Sequence, residues 1–405
     1  MDKLKVRQGW IMYAIAVSFY FYDFILKLIP SIMMDNIIDR LDITTEQFGF
    51  VELSFYSTYI PMQLFCGPIL DEYGPKKILP SVIGLCLLGS IISAVTRDYY
   101  WYLLARLLIG FGSAFAFVSV LKIASEWLPK RAYPFLSGLT TTFGMLGGIF
   151  SESIVPMFND YDQLYFYSVI CSVAVLLIIL SVLFVRDGEQ HDEPFDLLLI
   201  LKDIKTVLSR QQIWVAGLIG LAMFSPIQLF VTWAIPFFAH DLAIDKITSG
   251  NIASMLFWGT CVFAPIIGWV ATRIQHMKSL LLLGNFLSLV GMIMVIFSAH
   301  NSVLSAMLLM FLVGAGVSAQ PLVFVYATRE VDIHLTATAV AATNFIVNLS
   351  SLLQPYIGRQ LIQVSRSVYS LASWRNALAI IPLLLFINFI FIYILKETQY
   401  DNDNS

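Results

Sequence analysis

Charge is what this chain has least of. Lys, Arg, Asp and Glu make up 13% of its 405 residues, where a soluble globular chain carries about 25%. So few ionic groups cannot wet the surface of a globule this long, which excludes a soluble enzyme. Hydrophobic residues make up 58% of the chain and gather in runs of about 20, the length that crosses a bilayer as a helix. Cysteine is scarce as well. Cys66, Cys86, Cys171 and Cys261 each lie inside an apolar run, without metal-like spacing, and serve as small hydrophobes. No nucleophile–base pair and no phosphate-binding loop stands out, so neither catalysis nor a cofactor is expected. A net charge of -3 without a basic domain gives no sign of a nucleic-acid partner.

What is present is a regular succession of apolar runs, at 10–34, 47–70, 78–96, 101–123, 133–157, 165–185, 213–238, 250–271, 279–299, 303–326, 336–358 and 377–395. These predict an all-α polytopic membrane protein with twelve transmembrane helices. Lys3, Lys5 and Arg7 precede the first run with no small-residue cleavage site, so that run is expected to be retained. Lys76, Lys77, Lys130, Arg131, Lys202 and Lys205 fall on the same side as those first cations. Arg40, Arg97, Lys246, Arg359, Arg366 and Arg375 form the smaller set on the other side. Loop Lys and Arg are retained in the cytoplasm, so both termini are expected there.

The segment 187–212 is the longest polar interruption, and it separates an expected first bundle (1–186) from a second (213–405). Within it, Phe195, Leu198, Leu199, Leu201, Ile204, Val207 and Leu208 recur at helical spacing beside Lys202, Asp203 and Lys205, which predicts a helix lying in the membrane interface. The two halves also read as repeats. Gly110, Gly112 and Glu126 recur as Gly314, Gly316 and Glu330, all displaced by 204; Gly67 pairs with Gly268 and Pro156 with Pro355.

Between the second and third runs lies Gly67-Pro68-Ile69-Leu70-Asp71-Glu72-Tyr73-Gly74-Pro75-Lys76-Lys77. Gly-x-x-x-Asp-x-x-Gly-x-Lys-Lys resembles the loop signature of the major facilitator superfamily, although Glu72 stands where that family has a basic residue. Arg106-Leu107-Leu108-Ile109-Gly110-Phe111-Gly112 resembles a second signature of the family, on its fourth helix. The resemblance implies two pseudo-symmetric six-helix bundles rocking around a central cavity. It also implies a latch on the outward-facing state made by Asp71, Lys76, Lys77 and Glu126, and an arginine at 106 that serves proton coupling or substrate contact. The Gly-Pro pair of the drug/proton antiporters is absent, since Met145 follows Gly144.

An ionised side chain inside lipid is costly unless it faces protein or water, so the intramembrane charges are the informative ones. Asp23 and Lys27 lie one turn apart on the first run, on one helical face. Glu52, Arg106 and Glu152 lie on the second, fourth and fifth. Two readings stay open. In one, Lys27 or Arg106 holds a substrate carboxylate beside Tyr22 and Tyr56, and Asp23, Glu52 or Glu152 carries a coupling proton. In the other, these groups are an ion-pair network gluing helices together. The second half offers amides and aromatics instead, and Gln228, Trp258, Gln320 and Asn344 complete the expected substrate-binding set. Lys122 either joins the latch with Glu126 or snorkels to the interface.

The expected function is secondary active transport of a small polar organic solute by proton symport. The first-run stretch, Pro30-Ser31, Tyr59-x-x-x-Gln63 and the fourth-run glycines resemble the phagosomal-transporter-type group of bacterial facilitators. That resemblance implies an amino acid, short peptide or related nutrient as substrate. It also implies a bacterial cytoplasmic membrane as the site, with lipid and protons as partners and a monomer as the working form. Export of a siderophore or metabolite by antiport is one alternative. A receptor that binds without transporting is another, against which the short tail Thr398–Ser405 counts.

Overall fold

Apolar runs of this length must satisfy every backbone polar group internally, and helices are the only regular structure among the described residues. The computed structural model describes residues 3–154, 163–188, 196–274, 276–298, 302–329, 331–354, 356–357 and 371–397. The expectations placed on Pro156, Glu330, Pro355, Arg359, Arg366 and Phe195, and on the side chain of Glu152, lie outside what is described.

The first half consists of α1 (Lys3–Ile32), α2 (Met34–Leu41), α3 (Thr45–Val95), α4 (Tyr99–Ser113), α5 (Ala116–Trp127), α6 (Tyr133–Ile154) and α7 (Gln163–Phe184). The linker helix is α8 (Leu197–Leu208). The second half consists of α9 (Gln211–Ser225), α10 (Val231–Asp241), α11 (Lys246–Ala271), α12 (Met277–Phe297), α13 (Val303–Val317), α14 (Leu322–Arg329), α15 (Thr336–Asn348), α16 (Leu371–Leu378) and α17 (Ile380–Ile394). Among the described residues, ten helices are long and apolar enough to cross a membrane. One of them, Gln47–Val95, holds two of the expected spans, broken at Gly74, whose φ of 70° and ψ of 162° only glycine adopts readily. Pro75 follows, without an N–H to carry the helix across the break.

Helix starts follow local chemistry. Thr44 and Gln47 form a reciprocal capping box at the head of α3, and Asp98, Asp196, Asp245 and Ser302 cap α4, α8, α11 and α13 with their side-chain oxygens.

The repeat seen in the sequence is a repeat of packing. A methyl group on Gly110 would lie 2.3 Å from Phe55 O, and one on Gly314 would lie 2.2 Å from Leu256 O. Gly112 lies against Val82 and Cys86; Gly316 lies against Gly284 and Ser288. Thr58 Oγ1 donates to Leu107 O at 2.9 Å beside the first pair, and Thr260 Oγ1 donates to Gly314 O at 3.1 Å beside the second. In both halves, glycines on the fourth span let two neighbouring helices come to backbone contact.

The chain forms two compact units. One comprises Met1–Tyr133, Phe143–Ser209 and Val331–Ala342; the other comprises Pro134–Thr142, Arg210–Glu330 and Thr343–Ser405. Each draws most of its length from one half and a short segment from the other. In the first unit, Gly67 admits that segment: a methyl there would lie 2.5 Å from Ala337 O. In the second, Gly268 does the same at 2.5 Å from Pro134 O, and Gly138 lies against Ala264.

The linker helix α8 belongs to the first unit, with Ile200 and Val207 buried and Leu197, Leu198 and Leu201 exposed. The expected helix is present, but the apolar residues of its expected face are divided, with Val207 buried and Leu198 and Leu201 exposed.

Candidate functional site

The first unit contains two groups of charged residues. One gathers where the first arm of α3 ends. Asp71 Oδ1 accepts from Lys122 Nζ at 2.5 Å and from Ala337 N at 3.1 Å; Oδ2 accepts from Thr338 N at 2.8 Å and Thr338 Oγ1 at 2.7 Å. Ala337 and Thr338 lie in the first turn of α15, so Asp71 caps that helix from outside and meets the positive end of its dipole. Lys122 turns inward to pair also with Glu126 at 2.7 Å, and its side chain is 3% exposed. It does not reach for the interface: the buried Asp71 carboxylate and the half-buried Glu126 hold its charge. Glu126 thus pairs with the lysine one turn before it on α5. Lys76 and Lys77 are exposed, and Lys76 N donates to Asp187 Oδ1 at 2.8 Å.

The other group surrounds the middle of α1. Asp23 is 3% exposed, and its Oδ1 has no hydrogen-bond partner among the described residues. Lys27 and Arg106 are the cations acting on it, and Ser113 is its polar neighbour. Arg106 is 1% exposed; its Nη1 donates to Leu26 O at 3.0 Å and its guanidinium lies 4.7 Å from the centre of the Phe55 ring. Its Nε and Nη2 have no partner among the described residues, and the buried Tyr22 hydroxyl lies beside Ser90.

Lys27 is half-buried. It does not pair with Asp23, although the two share a helical face. Its Nζ stands 5.4 Å from the Tyr59 ring centre, 5.5 Å from Tyr56 and 5.8 Å from Phe24, and among the described residues it meets no carboxylate. Electron-rich ring faces attract a cation, but they do not neutralise it. Glu52 is half-buried one turn before Tyr56 on α3.

The residues expected from the second half lie in the other unit. Gln320 is buried, its Nε2 lying 3.3 Å from the place a methyl on Gly220 would occupy. Asn344 is buried, and its carbonyl accepts from Asn348 Nδ2 at 2.8 Å. Gln228 lies in a π-helical turn at Pro226–Phe230, and its carbonyl accepts from Gln354 Nε2 at 2.5 Å. Gln354 also accepts from Trp233 Nε1 at 2.8 Å, so this amide joins helices. Trp258 is 40% exposed.

Sequence reasoning did not place Phe24 around Lys27, Phe55 beneath Arg106, or Thr338 on Asp71. The first two follow helical spacing, since Phe24 is three residues before Lys27 and Phe55 three before Thr58, which packs on the Arg106 helix. Thr338 is 267 residues from Asp71, and no local pattern connects them.

The family model described as Major Facilitator Superfamily matches residues 11–355 and, in a second alignment, 227–405. The chain belongs to this superfamily. Among its relatives is the "Probable sulfoacetate transporter SauU" of Cupriavidus necator, 24% identical over 38% of this chain and 36% of that one. Another is the "Nitrate/nitrite transporter NrtP" of a Picosynechococcus species, 26% identical over 28% and 21%. The matched segments thus span well under half of either relative. The fold is similar to the crystal structure of a superfamily transporter, FucP, in the outward conformation: TM-score 0.76 at 15% identity, over 96% of this chain and all of the other.

Proposed function

We propose that this protein is a secondary active transporter that moves a small polar organic solute bearing an acidic group across the bacterial cytoplasmic membrane, together with a proton. The observation that carries this reading is Lys27: a half-buried ammonium inside the membrane, held by three aromatic faces and, among the described residues, without a carboxylate. A solute's acidic group supplies the missing counter-charge. The two relatives named above support an anionic solute, being described as transporters of sulfoacetate and of nitrate and nitrite.

Proton coupling follows from charge. An anion arriving at Lys27 brings a second negative charge beside Asp23, and taking up a proton on Asp23 relieves that repulsion. Binding of the two is therefore mutually favourable, and the linkage is reciprocal. Arg106, stacked on Phe55 and anchored to Leu26 O, holds a positive field over the same carboxylate. Glu52 and Glu152 are further candidates for the proton.

Movement comes from bundles 1–186 and 213–405, joined by 187–212, rocking about the solute, with both termini in the cytoplasm. The cap that Asp71 places on α15 forms in one state and breaks in the other, and Glu126, Lys76 and Lys77 flank it. The first-half resemblance to the phagosomal-transporter-type group supports import, and it is the reason that amino acids and short peptides are tried alongside simple organic acids.

The test is uptake into liposomes containing the purified full-length protein, with amino acids, short peptides and organic acids, with and without an imposed pH difference. Uptake of an acidic solute that rises when the outside is made acidic supports the reading. Solute binding with no uptake under either condition contradicts it.

A further inference from the structure

Resting on that reading, we propose that the solute is a monocarboxylate with an aromatic or flat apolar body, and that amino-acid zwitterions are excluded. The surroundings of Lys27 carry this. A solute whose acidic group meets the Lys27 ammonium finds ring faces on either side of it: Phe24, Tyr56 and Tyr59, each within 5.8 Å of Nζ. Tyr20 extends the wall, edge-on to Phe24 at 5.2 Å, and α6 backs it, since a methyl on Gly144 would lie 2.7 Å from Tyr20 Cε1. Tyr59 is buried and stacked on Phe55 at 5.3 Å, and half-buried Tyr56 stands edge-on to it at 6.4 Å, so Tyr56 and Phe24 are the rings left for a further ring to pack on.

A zwitterion fares differently. Its ammonium lies one carbon from its carboxylate, so docking the acid at Lys27 sets two cations side by side. The acid that would compensate is Asp23, and it is 3% exposed, with the rings of Tyr20 and Tyr59 among its neighbours. The half-buried surface a solute meets is the Lys27 ammonium among aromatic rings, with Glu52 one turn before Tyr56 on α3. That surface neutralises one negative charge and buries an apolar body.

The test is equilibrium binding by calorimetry to the full-length protein in lipid nanodiscs, with three probes. They are 3-phenylpropanoate, phenylalanine (the same skeleton with an ammonium added) and propanoate (the same acid without the ring). The expected result is that 3-phenylpropanoate binds at least about tenfold more tightly than either of the others. Tyr56→Ala narrows its advantage over propanoate to about threefold or less, and Tyr56→Phe keeps it. Lys27→Gln weakens it at least about tenfold, and Lys27→Arg preserves it in part. Phenylalanine binding as tightly as 3-phenylpropanoate, a Tyr56→Ala variant with the ratio intact, or no binding of any probe would overturn the inference. The expected order without liposome uptake removes the transport reading and leaves the inference standing. Uptake of zwitterions with the order reversed does the opposite.

Discussion

The two charged groups of the first unit are made from the same kinds of residue and differ in completeness. Around Asp71 all four donors are in place, and Lys122 is shared between two carboxylates. Around Asp23 and Arg106, a carboxylate oxygen and two guanidinium nitrogens are buried without partners among the described residues. Such groups each carry a desolvation cost of about 1–3 kcal/mol. A fold that satisfies one group fully and leaves another open is not short of ways to pair charges. We read the closed group as the one that holds this arrangement, and the open group as the one proposed to receive a solute.

If that contrast is right, substitutions in the closed group act on stability first, and those in the open group act on solute first. The largest effect is expected from Lys122→Ala, which strands Asp71 and Glu126 without their shared cation. Breaking a buried pair by removing one partner costs about 3–5 kcal/mol, to be read from the thermal unfolding of purified protein. A Lys122→Ala variant as stable as the parent would erase the contrast.

Asp71→Asn keeps the shape and removes the charge that meets Lys122 and the head of α15. Uptake is expected to fall about tenfold, or about 1.4 kcal/mol in barrier, while solute affinity changes by less than about threefold. A fall in affinity equal to the fall in uptake would move Asp71 from gating to binding. Smaller again is Thr338→Val. It removes one hydroxyl donor and leaves the two backbone donors on Asp71, for about 1 kcal/mol of stability, measured in the same unfolding experiment. A change as large as that of Lys122→Ala would mean the hydroxyl, and not the lysine, holds the carboxylate.

Much of the fold was legible in the sequence because lipid permits so few solutions. Run length gave the ten described apolar helices, one of them holding two of the expected spans, and 204-residue spacing matches the like packing of Gly110 on Phe55 and of Gly314 on Leu256. The charge inventory of the site was legible for the same reason: Asp23, Lys27 and Arg106 stand out against hydrocarbon. Their pairing was not legible. One-turn spacing predicts an Asp23–Lys27 contact on α1, and the structure instead gives Lys27 to rings on α3, because a long flexible lysine goes where neighbouring helices offer π faces. Lys122 left two fates open in the sequence, and burial beside Asp71 decides between them. The contact between Asp71 and Thr338 spans most of the chain, and only tertiary packing brings its ends together.

The most direct measurement is a paired one on Lys27→Ala: folded yield and thermal stability on one side, and equilibrium binding of the transported acid on the other. Folding within about 1 kcal/mol of the parent with binding lost is the expected result, since Lys27 meets ring faces and no described carboxylate. Binding that survives while folded protein is lost would contradict it, and would make the α1 charges part of the scaffold.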